Sequence, residues 1–156
     1  MSVLRWAMAG LLLLAAPVAL AKDKPAGEAG TDPLSDWVGV WAASAEQTVT
    51  ITRTAEGLFI DGFATWGASD PARVEIGAVN MGEFSLELPE NWVGADGSVN
   101  FTVGEEGPLP PEAAGQYDCV IGMLLELPVL KVTDNGYCGG MNVTFYGEYR
   151  RHKKGG

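Results

Sequence analysis

The sequence predicts an all-β domain: a single small antiparallel barrel or sandwich of about eight to nine strands in meander order, tied by one disulfide. Three observations lead there. Short segments alternate apolar and polar residues with a period of two. Gly, Asn, Asp and Pro separate those segments at roughly the ten-residue rhythm of sandwiches and up-and-down barrels. No segment sustains the periodicity of an amphipathic helix.

The chain opens with Arg5, an apolar run, Ala19-Leu20-Ala21 and then Lys22-Asp23-Lys24. A charge, an apolar core and a small-x-small site in that order predict a signal peptide over residues 1–21, cleaved after Ala21. A retained membrane anchor is the competing reading, but Gly10 and Pro17 interrupt the run, which falls short of a span of about 20 residues. The mature chain is expected to be free of the membrane and periplasmic or secreted. Loss of Arg5 leaves 9 basic against 20 acidic residues, a net charge of −11. Such a field repels nucleic acid and anionic lipid. Residues 22–35 carry little to pack and read as a flexible leader, residues 36–150 as the β domain, and residues 151–156 as a solvated basic tail.

Order is expected to begin at Asp36, with Trp37, Gly39 and Trp41 on one face. Thr48 to Thr54 follows, with Val49 and Ile51 opposite threonines, and Ala55-Glu56-Gly57 turns the chain into Leu58–Trp66. There Leu58, Ile60, Gly62, Ala64 and Trp66 share one side. Ala68-Ser69-Asp70-Pro71 breaks the pattern, and Val74–Ala78 is read as its resumption in a strand. Phe84, Leu86 and Leu88 point inward from the next, which Pro89 stops, and Val99, Phe101 and Val103 form another. Residues 104–115, with three prolines and three glutamates, read as a long loop.

The C-terminal segment holds both cysteines. Met141, Val143, Phe145, Gly147 and Tyr149 alternate with polar or exposed-type positions, which predicts a strand over 141–149, and Asn135-Gly136 supplies the turn before it. In an exported chain two cysteines favour a disulfide over free thiols. Were residues 119–134 one straight strand, Cys119 would lie about 50 Å from the turn bearing Cys138, against the ~6 Å between α-carbons that a disulfide tolerates. A Cys119–Cys138 bond therefore demands a reversal, and Pro128 is the natural place. Strands near 118–126 and 129–134 follow.

Closure into a barrel is preferred to a sandwich because it removes exposed strand edges. Gly39-Val40-Trp41, opening a β meander, resembles the Gly-x-Trp signature that begins the first barrel strand of the lipocalin and avidin-like group. That resemblance implies barrel topology and a binding role. Residues 134–150 are similar to the closing segment of small uncharacterised secreted bacterial proteins, a likeness that brings no activity with it.

Candidate chemistry is sparse. His152, the one histidine, lies in the charged tail, so no serine–histidine or cysteine–histidine arrangement can be built inside the domain. Neither a metal motif nor a phosphate loop is present, and no cofactor is expected. Glu105, Glu106 and Glu112 have oxygen ligands that calcium accepts, in a spacing that matches no calcium loop. Asp61, between Phe59 and Phe63, is the carboxylate on which a small hydrolase would be built. The preferred reading is a non-catalytic binding or accessory protein that takes a small apolar ligand or a secreted protein partner. Trp37, Trp41 and Trp66, with Trp92, are its candidate ligand-binding residues.

Overall fold

The computed structural model describes residues 32–152. The expected signal peptide, most of the leader and the end of the basic tail lie outside the described residues. Nine strands form one antiparallel sheet: β1 (Gly39–Ser44), β2 (Gln47–Arg53), β3 (Gly57–Trp66), β4 (Asn80–Pro89), β5 (Ser98–Gly104), β6 (Gly107–Leu109), β7 (Val120–Glu126), β8 (Val129–Asp134) and β9 (Gly147–Arg151). The first four run up and down in order. The last, β9, returns to pair with β1, placing Arg151 opposite Trp41 and Arg150 opposite Ala42. The sheet order is β4-β3-β2-β1-β9-β8-β7-β5-β6. Its two ends, β4 and β6, lie against one another, so the sheet is a nearly closed barrel.

The inward set matches the period-two reading along β2, β3 and β4: Val49, Ile51, Leu58, Ile60, Phe84, Leu86 and Leu88 are all buried. Pro128 reverses the chain as expected. Glu126 pairs with Val129 around a two-residue turn whose Leu127–Pro128 peptide is cis. The α-carbons of Cys119 and Cys138 are 4.5 Å apart, joined by the expected disulfide.

Five local expectations are corrected. Val74–Ala78 is not a strand, since Pro71–Glu75 forms one helical turn, α1, and leaves Val74 and Ile76 exposed. Asp70 caps it by accepting from the Ala72 N–H at 3.0 Å, and Pro71 occupies its first turn; a good cap and a preset φ outweigh two β-branched residues. Within the expected 104–115 loop, Gly104 faces Gly107 across a tight hairpin that creates β6, a short edge strand on which Pro108 is tolerated. The strand expected over 141–149 is hydrogen-bonded only from Gly147, although Val143, Phe145 and Tyr149 are buried as its alternation required. The leader, expected to extend to residue 35, gives up its end to the barrel: Leu34 is buried, and Asp32 pairs with Arg53 at 2.7 Å. Likewise Arg151, assigned to the tail, belongs to β9.

Both mouths of the barrel are plugged. At one, a 3-10 turn, Ser35–Trp37, seats Leu34 and Trp37, while Arg53 joins Asp32 to Glu90. At the other, the segment between β8 and β9 folds over the opening and inserts Val143 and Phe145. Asp134 organises that segment: one carboxylate oxygen accepts from the Thr144 hydroxyl and from the Phe145 and Tyr146 N–H groups, and the other from Gly136. Close approach is needed here, because a Cβ on Gly82 would stand 2.5 Å from the Cys138 carbonyl oxygen.

Candidate functional site

The tryptophans among the described residues do not ring a cavity. Trp41 is fully buried and its Nε1 donates at 2.8 Å to the Trp37 carbonyl, which satisfies the indole N–H inside the core. The Arg151 guanidinium lies 4.9 Å from the Trp41 ring centroid. Trp66 sits elsewhere. Trp41 is in register with Val49 and through it Gly62, so Trp66 lies four residues, about 13 Å of strand, beyond that row, whereas Trp37 lies on its other side. Arg73 covers Trp66, its guanidinium carbon 4.1 Å from the ring centroid. Trp37 and Trp41 thus meet; Trp66 joins neither.

Side chains fill the interior, as in other small barrels. Trp41, Tyr149, Phe101, Phe145, Ile51 and Leu58 are among the fully buried. The Phe84 ring stands 5.0 Å from Phe145 and 6.1 Å from Phe101, centroid to centroid. Concavity is found at the surface instead. A groove of about 550 Å³ runs between Leu34 and Trp37 on one side and Glu90, Val93 and Gly97 on the other. A second, of about 500 Å³, is lined by Pro89, Trp92 and the Gly104–Leu109 hairpin.

The outer face of β2, β3 and β4 is a regular exposed surface. Register places Thr52, Phe59 and Glu87 in one row, Thr50, Asp61 and Ser85 in the next, and Thr48, Phe63 and Glu83 in the third. Phe59 is 40% exposed and Phe63 42%, with Met81 60% exposed at the start of β4. Strand alternation in β3 produces this face as directly as it produces the core. Alternation in β3 marks Asp61 as an outward carboxylate, and it marks Phe59 and Phe63 as two large outward aromatics on a strand whose inward positions are already apolar, a signal of an exposed face that the carboxylate alone does not give.

Three carboxylates, Asp61, Glu83 and Glu87, share this face, and none is in an ion pair among the described residues. Glu87 accepts a 2.6 Å hydrogen bond from the Thr54 hydroxyl. Arg53, the nearest cation along β2, is committed to Asp32, Glu90 and the carbonyls of Thr54 and Gly57.

Three carboxylates elsewhere on the barrel have their pKa values moved down. The Arg53 guanidinium holds Asp32 below the ordinary range, the Ser69 N–H and hydroxyl hold Glu46 there, and the Ser98 hydroxyl and N–H do so for Asp96. Raised values are what a general acid requires. Glu46 instead fastens two loops, accepting from the Gly67 and Ser69 N–H groups. Among the described residues no group of three or more His, Cys, Asp or Glu is placed to hold a metal. His152, Glu105, Glu106 and Glu112 are all exposed.

The fold and these surfaces define the chain as a nine-stranded, nearly closed barrel with a packed interior and a disulfide-fastened mouth. Comparison with protein-family models, curated proteins and solved structures finds no match. The disulfide fits an extracytoplasmic protein, and no helix among the described residues is long and apolar enough to cross a membrane.

Proposed function

We propose that this is an exported, non-catalytic binding or accessory protein, periplasmic or secreted, that engages a protein partner through the outer face of its barrel. The observation that carries the reading is a filled interior beside two phenylalanines exposed on a regular sheet face. A barrel that stored a small apolar ligand would need the volume that Trp41, Phe101, Phe145 and Tyr149 occupy. The lipocalin-like Gly39-Val40-Trp41 opening is compatible with this reading, with the binding surface moved from inside to outside. A carboxylate hydrolase is the weaker alternative, because Asp61 is exposed on the outer sheet face beside Thr50 and Ser85, where water reaches it freely.

A photo-crosslinking phenylalanine analogue in place of Phe63 tests the proposal in the producing cell. One discrete heteromeric adduct is expected in the exported fraction, absent when the analogue replaces Tyr117 near the disulfide. Saturable tryptophan quenching by a fatty acid in purified protein, or hydrolytic turnover abolished by Asp61→Asn, would overturn it.

A further inference from the structure

We infer that the partner segment docking on the β2–β4 face is cationic, bearing arginine or lysine at alternating positions; this rests on the protein-binding reading above. Along β3 the outward residues run Phe59, Asp61, Phe63, spaced about 6.6 Å apart. Across to β4, Phe59 faces Glu87 and Phe63 faces Glu83 at about 4.8 Å strand spacing. Every aromatic on this face therefore has a carboxylate both beside it along the strand and opposite it across the ladder. On the β2 side the neighbours are uncharged threonines, Thr48 and Thr52.

A guanidinium suits that arrangement because it can lie over a phenyl ring while its N–H groups reach an adjacent carboxylate. An extended segment with a cation at every second residue presents its charges at the same ~6.6 Å interval as the face. The other occupants fit less well. Stacking a second copy face to face would bring Asp61, Glu83 and Glu87 against their own counterparts, and like charges opposed across an interface cost affinity. Nucleic acid and anionic lipid meet the same repulsion, reinforced by a net charge of −10 on the chain.

The test uses the full exported protein and three synthetic decapeptides: alternating Arg-Thr, alternating Gln-Thr and alternating Glu-Thr. Backbone amide shifts on titration should be saturable with the Arg-Thr peptide alone and centre on Phe59, Asp61, Phe63, Glu83 and Glu87. Affinity should fall about tenfold in the triple variant Asp61→Asn, Glu83→Gln, Glu87→Gln, and should weaken with added salt. All three positions are solvent-exposed, so the variant should fold, and its unfolding midpoint checks that. Equal binding of the Gln-Thr peptide, shifts centred on the Trp37 or Trp92 grooves, unchanged affinity in the triple variant, or binding to phosphatidylcholine vesicles through Phe59 and Phe63 would each overturn the inference. If the crosslink at position 63 persists while the Arg-Thr peptide fails to bind, the protein-binding reading stands and the cationic partner falls. If both fail, both fall.

Discussion

The Tyr149 hydroxyl donates a 2.8 Å hydrogen bond to the Phe145 carbonyl, joining the last strand to the plug residue four positions before it. Both side chains are fully buried. Burial pushes the Tyr149 phenol above the ordinary tyrosine range, and the Asp134 carboxylate adds to the effect. The folded protein then holds this proton more tightly than the unfolded chain, so the stabilisation is complete below the unfolded pKa of about 10 and is lost as pH rises above it. Tyr149→Phe leaves the Phe145 carbonyl without its partner and should cost about 1–2 kcal/mol at pH 7. Urea midpoints measured from pH 8 to pH 11 should fall more steeply in the wild type than in the variant; parallel curves would show that Tyr149 is not the group responsible.

The disulfide spans 19 residues and fastens the start of β7 to the plug. In the chain-entropy model a loop of that size contributes about 3 kcal/mol. Reduction should lower the urea midpoint and accelerate amide exchange over residues 138–146 before it affects β2 and β3. If exchange rises uniformly across the barrel, the bond supports the whole domain and not this mouth in particular.

At the opposite mouth the hydrogen bond and charge of Arg53 keep Asp32 ionised below its usual pKa. A depressed folded-state value stabilises above the unfolded pKa of about 3.9, and that stabilisation disappears as pH falls through the lower folded value. Amide protection at Leu34 and Trp37, taken relative to the intrinsic exchange rate at each pH, should therefore fall on acidification in that range. Asp32→Asn should show the lower protection already at neutral pH, with little further change in protection on acidification. Indifference of these amides to the substitution would show that Leu34 and Trp37 hold the mouth by packing alone.

Much of this barrel was legible from the chain because a period of two is a local property. Phe84, Leu86 and Leu88 face inward for the same reason that Glu83, Ser85 and Glu87 face outward. The reversal at Pro128 was legible too, since it followed from the reach of an extended chain. The backbone of residues 141–146 was not, because alternation fixes which side chains enter the core without fixing what satisfies the main chain. There the partners are side chains distant in sequence: Gln47 donates to the Thr144 and Tyr146 carbonyls, and Asn80 to that of Met141. Asn142 adopts a φ of 67° on the way. The candidate site was legible only in part. Inward placement of Trp41 follows from periodicity, but whether the space around it is occupied depends on volumes contributed by β5, β7 and the plug, which no single strand reveals.

Thr102 offers the sharpest test of the packing. On β5 it lies between Leu109 of β6 and Val120 of β7, and its side chain is fully buried with no hydrogen-bond partner for the hydroxyl among the described residues. Desolvating a hydroxyl without compensation costs about 1–3 kcal/mol on the scale set by protein mutations. Valine has nearly the same shape and replaces that hydroxyl with a methyl, so Thr102→Val should stabilise the protein by about 1 kcal/mol. The urea midpoint should rise with the slope of the transition unchanged, since the surface exposed on unfolding is nearly the same. Thr102→Ser provides the opposite comparison, because it keeps the unpaired hydroxyl, deletes a buried methyl, and should destabilise by about 1 kcal/mol. A Thr102→Val variant less stable than the wild type would mean that the hydroxyl has a partner in solution, a buried water being the one small enough to enter between β5 and the Pro111–Ala113 turn packed against it.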